Sequence, residues 1–136
     1  MTNLSQSTIL VVEDEPLIGL DVESILLEIG ASITVVETIQ RATDYLSAGP
    51  LPALALLDIV LPDGTSFALA RSLSAKGVRI AFLTGYLANL PDDLKHLPLI
   101  EKPFAEDDLR QTVRGLLAEG AAGGPNLGAE GRSLAG

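Results

Sequence analysis

The sequence predicts an α/β domain built on a doubly wound, five-stranded parallel sheet, and three observations predict it. Short aliphatic runs without polar alternation recur along the chain, the profile of strands covered on both faces. Between them lie stretches with apolar residues at helical spacing. The two kinds of segment alternate one for one, as parallel strands joined by helical crossovers must.

The first strand is Thr8-Ile-Leu-Val-Val12, apolar, mostly β-branched and short. Three acids, Glu13, Asp14 and Glu15, follow, and then Pro16. A proline just inside a helix start is tolerated because its missing N–H had no partner there. Ile18, Val22, Ile25 and Ile29 give the first helix its periodicity, and Gly30 supplies the stop. A strand over Ser32–Val36 and a helix over Ile39–Ser47 come next, closed by Gly49 and Pro50. Leu54-Ala-Leu-Leu57 reads as a third buried strand running into Asp58, and Leu61-Pro-Asp-Gly64 as a turn. Phe67, Ala70 and Leu73 mark the third helix, which Gly77 ends. Val78–Leu83 is the fourth strand. Leu87–His96, interrupted by Pro91, makes at most a short fourth helix. Pro98–Glu101 reads as the fifth strand, and Leu109, Val113, Leu116 and Leu117 as the final helix.

The 136 residues suit one domain, and 47% of them are hydrophobic, enough for a core. Residues 1–119 form that domain. Residues 120–136 hold 6 glycines and 4 alanines without periodicity and read as a flexible tail. The formal net charge of −9 disfavours nucleic acid and anionic membranes as partners. With no cysteine and His96 as the single histidine, disulfides, thiolate metal sites and multi-histidine sites are excluded, and a Ser-His-Asp triad nearly so. No apolar run is long enough to span a bilayer, and the N-terminus lacks the basic start of a signal peptide. A cytoplasmic acidic domain is the expectation.

In an open parallel α/β sheet the functional crevice lies beyond the carboxyl ends of the strands. Those ends carry Glu13-Asp14, Asp58, Thr84-Gly85 and Glu101-Lys102-Pro103. Three carboxylates, a hydroxyl and an ammonium therefore converge on one rim if the first, third, fourth and fifth strands are neighbours. Clustered carboxylates repel unless a cation lies between them, and an all-oxygen site suits Mg2+. A carboxylate can attack a phosphoryl donor to give an acyl phosphate, with Mg2+ and a lysine neutralising the phosphoryl oxygens. Singly, each residue also fits an ordinary role: a solvated acid pair, a capping aspartate, a plain turn, an exposed lysine. Their joint placement, each at the end of its own strand, points to chemistry.

With those residues in view, the sequence resembles the receiver domain of two-component response regulators over roughly residues 7–118. The matching stretches are ILVVEDEP, LALLDIVLPDG, FLTGY and LIEKPF. The resemblance implies a flavodoxin-like fold with strand order 2-1-3-4-5. It implies that Asp58 is the phosphoacceptor and that Glu13, Asp14, Asp58 and the backbone carbonyl of Val60 hold Mg2+, for which Mn2+ can substitute. It further implies Thr84 as the switch hydroxyl, Lys102 as the phosphoryl-binding lysine, and a cis peptide to Pro103. The family's aromatic position three residues before the lysine is Leu99 here, so Tyr86 takes the aromatic switch role. Phe82-Leu-Thr-Gly-Tyr86 resembles the Phe-Ala-Thr-Gly-Tyr (FATGUY) subgroup of alphaproteobacterial receivers, often stand-alone members of stress-response phosphorelays.

The function implied is a stand-alone phosphoacceptor in a phosphorelay, not an enzyme beyond its own phosphorylation and dephosphorylation. Its donors would be a histidine kinase or a histidine phosphotransfer protein. Its output would be a downstream protein bound on the face of helix four, strand five and helix five, or phosphoryl shuttling, or a phosphate sink. Two other classes compete. A phosphorylation-independent pseudo-receiver would not need the complete acid, Thr and Lys set. A haloacid dehalogenase-like phosphatase wants a second acid two residues past the nucleophile, where this chain has Val60.

Overall fold

A computed structural model describes residues 7–85 and 90–122. The element order is β1 (Thr8–Val12), α1 (Pro16–Leu27), β2 (Ser32–Val36), α2 (Ile39–Ser47), β3 (Leu54–Leu57), β4 (Val60–Leu61), β5 (Gly64–Thr65), α3 (Phe67–Ala75), β6 (Arg79–Thr84), β7 (Leu99–Glu101) and α4 (Glu106–Ala122), with a 3-10 turn at Asp92–Leu94. Five parallel strands form one sheet in the order β2-β1-β3-β6-β7. Counting those five alone gives the expected order 2-1-3-4-5. The turn expected over residues 61–64 is the tip of a separate antiparallel ribbon, in which Val60 pairs with Thr65 and Leu61 with Gly64.

The central strands β1, β3 and β6 are buried on both sides, which explains their largely apolar character, while the edge strand β2 is only half-buried. Ile9, Val11, Leu54, Leu56, Ala81 and Leu83 face one core with Val22, Ile25 and Leu26 of α1 and Leu109 and Val113 of α4. Leu10, Val12, Ala55, Leu57, Ile80 and Phe82 face the other with Ala42 of α2 and Leu69, Ala70 and Leu73 of α3. Successive strand residues alternate between the two cores, as a pleated strand requires. Phe82 meets Phe67 edge to face with ring centroids 6.2 Å apart.

Helix boundaries follow local chemistry. Pro16 occupies the first turn of α1 as expected. Gly30 and Gly77, after α1 and α3, adopt φ of 86° and 88°, the left-handed conformation that ends a helix and that glycine adopts without strain. The expected fourth helix over Leu87–His96 reduces, within the described residues, to the 3-10 turn Asp92–Leu94. Pro91 precedes it with an extended ψ of 147° and has no N–H to give. Leu94 is buried under that turn, and Arg71 of α3 clasps Asp93 through Nε (2.7 Å) and Nη2 (3.1 Å). α4 continues to Ala122, past the expected domain end at 119, because Ala121 and Ala122 are strong helix formers that outlast the weak helix former Gly120. Its first turn carries Glu106, Asp107 and Asp108, favourable against the helix dipole. Residues 123–136, the rest of the expected tail, lie outside the described residues.

Asp63 ties the ribbon to α2. The first amides of α2 need acceptors. Thr38 Oγ1 accepts from Arg41 N–H, while Asp63 Oδ1 and Oδ2 accept from the N–H groups of Ile39 and Gln40, each at 3.0 Å. These bonds hold the Asp63 carboxyl below its usual range, Ile39 contributing most and Gln40 next. A carboxylate favoured in the folded state stabilises fully above its unfolded value, here 3.8, and ceases to do so as pH falls through the lower folded value. Asp63→Ala is therefore expected to melt below wild type at pH 7, by a margin that closes under acid conditions. Thermal scans across pH check this; a margin independent of pH contradicts it.

Candidate functional site

The site is built where four parallel strands stop. Glu13 follows β1, and its N–H donates to Val36 O of β2 (2.9 Å). Asp58 follows β3, with its N–H donating to Val12 O of β1 (2.9 Å). Thr84 is the last residue of β6, in register with Glu101 of β7, and its carbonyl accepts the Lys102 N–H at 2.7 Å. Each site residue is thus held by a ladder hydrogen bond of the sheet or by its direct continuation.

Glu13, Asp58 and Thr84 are buried, Asp14 is half-buried, and one carboxylate oxygen each from Glu13, Asp14 and Asp58 lies within 4.8 Å of the others. Lys102 Nζ reaches into the acids. It donates to Glu13 Oε1 at 2.9 Å, Glu15 Oε1 at 2.9 Å and Asp58 Oδ2 at 3.3 Å. The second carboxylate oxygens of Glu13 and Asp58 are also engaged: Glu13 Oε2 accepts from Glu15 N–H (3.0 Å), and Asp58 Oδ1 from Ile59 N–H (2.8 Å). The lysine stem passes beside Gly85, where an added Cβ would stand 3.9 Å from Lys102 Cε. The Lys102–Pro103 peptide is cis.

Burial and pairing oppose each other here. Burial pushes the Glu13 carboxyl above its usual range; the hydrogen bonds from Lys102 and Glu15 pull it back only in part, and Asp58 adds repulsion. Burial also works against the Lys102 ammonium, but hydrogen bonds to Glu15 and Glu13 and the charge of Asp58 outweigh it, holding the group well above its usual value. Lys102 is thus a permanent cation among carboxylates.

Of the strand-end residues expected from the sequence, Glu13, Asp14, Asp58 and Lys102 meet in this arrangement, and Thr84 is buried at the end of the neighbouring strand. Val60, two residues past Asp58, opens β4 with its side chain half exposed. Leu99 pairs with Phe82 and packs into the core without polar function. Tyr86 lies outside the described residues. Two residues of the site were not singled out beforehand. Glu15 pairs with Lys102, and the run of three acids was its only signal. Ser66 is fully buried and its Oγ donates to Asp58 O at 2.6 Å, closing the loop after Asp58; a serine ahead of a helix gives no hint of that. The oxygen donors fit Mg2+: three carboxylates converge from two strand ends, and hard-oxygen clusters of this kind take that ion.

Removing one member of a buried ion pair leaves the other charged and unpaired. Lys102→Met, measured in chelator by urea denaturation, is expected to cost about 3 kcal/mol. Adding Glu13→Gln is expected to return part of that loss. A Lys102→Met domain as stable as wild type contradicts the pairing.

No family model matches the chain. The phyllosphere-induced regulator PhyR of Methylorubrum extorquens is 36% identical over 101 residues, 71% of this chain. The chain spans 38% of that protein's length. The receiver domain of PhyR from Erythrobacter litoralis is 27% identical, with a TM-score of 0.71 over 83% of this chain and 91% of that one. A response regulator receiver protein from Burkholderia phymatum, at 22% identity and a TM-score of 0.74 over 83% of this chain and 96% of that one, shares the fold. The homologue and the structural neighbours are response regulators and receiver domains, and the five-stranded parallel sheet of this chain matches the receiver fold.

Proposed function

We propose that this domain accepts a phosphoryl group on Asp58 from a phosphohistidine carried by a histidine kinase or a histidine phosphotransfer protein. It then signals by binding a partner protein, or serves as shuttle or sink for the group. One observation carries this reading: the convergence of Glu13, Asp14 and Asp58 with Lys102 Nζ at the carboxyl edge of the sheet. In the step proposed, an Asp58 carboxylate oxygen attacks phosphorus, the phosphorus–nitrogen bond to the donor breaks, and the donor imidazole leaves. Glu13, Asp14, Asp58 and the Val60 carbonyl would hold Mg2+ (or Mn2+), which supplies charge neutralisation for the phosphoryl oxygens when bound. Lys102 stands beside Asp58 and is already charged, so it can pass from carboxylate to phosphoryl oxygen without a proton moving. Thr84, at the end of the neighbouring strand, is the hydroxyl proposed to follow the phosphoryl group, and Tyr86 the aromatic carried with it.

A protein donor suits the surroundings. Leu17, Leu20 and Leu27 are exposed along α1, starting two residues past Glu15, an apolar stripe beside an acidic site. The output face proposed is the segment around the Asp92–Leu94 turn with β7 and α4. Histidine kinases draw phosphate from cytoplasmic ATP, which puts the reading in the cytoplasm; among the described residues no helix is long and apolar enough to cross a membrane. The FATGUY assignment rests on Phe82-Leu-Thr-Gly-Tyr86.

Incubation with acetyl phosphate and Mg2+ followed by intact mass tests the reading. Wild type is expected to gain one phosphoryl mass and Asp58→Asn none. Asp14→Ala, with one ligand carboxylate gone, is expected to react about a hundredfold more slowly, the scale of losing one preorganised electrostatic contact. An adduct that survives Asp58→Asn assigns the chemistry elsewhere, and no adduct in wild type favours a phosphorylation-independent binding module.

A further inference from the structure

The helix start does not account for the position of the Glu15 side chain. It stands at the N-cap of α1, yet its side chain makes no cap hydrogen bond. Instead it reaches Lys102 Nζ at 2.9 Å, a residue 87 positions away, while its side chain stays 60% exposed. Its structural duty is done by the backbone, since the Glu15 N–H holds Glu13 Oε2 and would do so with any side chain. The side chain therefore contributes charge at the mouth of the site and a claim on the lysine. Lys102 sits nearer to Glu13 and Glu15, at 2.9 Å each, than to Asp58 at 3.3 Å.

An incoming phosphodonor feels both effects. Glu15 repels an anion approaching Asp58, and it occupies one of the three N–H donors that Lys102 can offer a phosphoryl oxygen. The penalty grows with the charge the donor brings. We propose that Glu15 is a specificity-determining residue that selects against doubly charged small phosphodonors at this site. The inference rests on Asp58 being the phosphoacceptor. In each reaction an Asp58 oxygen bonds to phosphorus; the phosphorus–oxygen bond of acetyl phosphate breaks to release acetate, or the phosphorus–nitrogen bond of phosphoramidate breaks to release ammonia.

Those two donors form the test, because near neutral pH acetyl phosphate is a dianion and phosphoramidate carries one net negative charge. Phosphorylation rates of the full chain are followed by intact mass at saturating Mg2+. Glu15→Gln is expected to speed reaction with acetyl phosphate about fivefold and with phosphoramidate by less, relaxing the preference between them. Glu15→Asp keeps the charge and is expected to keep the wild-type preference. Because Glu15 is exposed, the gain from Glu15→Gln should shrink as KCl rises toward about 1 M, where the Debye length falls to about 3 Å. A merely structural role would change both donors alike and would not respond to salt. Equal acceleration of both donors, a slower Glu15→Gln, or a salt-independent ratio overturns the inference while leaving Asp58 as acceptor. If wild type and Glu15→Gln both lack an adduct on Asp58, the inference falls together with the phosphoacceptor reading.

Discussion

The ammonium of Lys102 is the constraint around which the upper edge of this domain is arranged. It is mostly buried and bonded at once to Glu13, Glu15 and Asp58. Without it, carboxylates from the ends of β1 and β3 would face one another across a few ångströms in a poorly hydrated crevice, an arrangement that repulsion and desolvation both oppose. With it, the acids are tolerated but not neutralised, since Asp14 stands beside the same cluster. The residual negative charge is what a hard divalent cation would neutralise.

Everything that brings Lys102 there comes from the far edge of the sheet. β7 is a three-residue strand, paired to β6 through Phe82–Leu99, Leu83–Ile100 and Thr84–Glu101. The register aligns Thr84 with Glu101, so that Lys102 N–H continues the ladder to Thr84 O and the long side chain can turn inward past Gly85. Below this edge the strands are packed between two apolar layers, and such close-packed interiors deform little. The site residues are therefore placed by a stiff floor. On the other side, the 58–66 loop is closed by Ser66 Oγ on Asp58 O and Ser66 N–H on Ile59 O, and its ribbon is pinned to α2 by Asp63.

Much of this was legible in the sequence, for physical reasons that differ by element. Strands buried on both faces announce themselves as aliphatic runs, so β1 and β3 match their expected bounds and β6 lies within a residue of them; the edge strands β2, half-buried and β-branched, and β7 match as closely. Gly30 and Gly77 were readable as stops because a left-handed residue is where glycine is favoured. The convergence of Glu13, Asp14, Asp58 and Lys102 followed from the rule that sites gather at strand carboxyl ends, once strand neighbours were assumed. What escaped were interactions that depend on side-chain reach. Asp63 capping a helix that starts 24 residues before it, Ser66 bonding back to Asp58, and Glu15 bending away from its own helix leave no periodic trace. The fourth helix was expected to be short at most, and within the described residues a buried Leu94 and the Arg71–Asp93 clasp hold a single tight turn after Pro91.

The central claim is that acids from separate strand ends and one lysine form a single site that takes a divalent cation. The most direct measurement is a Mg2+ titration followed by two-dimensional amide NMR of the labelled chain, without any phosphodonor. The arrangement predicts saturable shifts concentrated at residues 13–15, 58–60, 84–85 and 101–103, all on one binding curve, and their loss in Asp14→Ala. Shifts scattered over the acidic helix surfaces, or separate curves for the β1 and β3 ends, would contradict it.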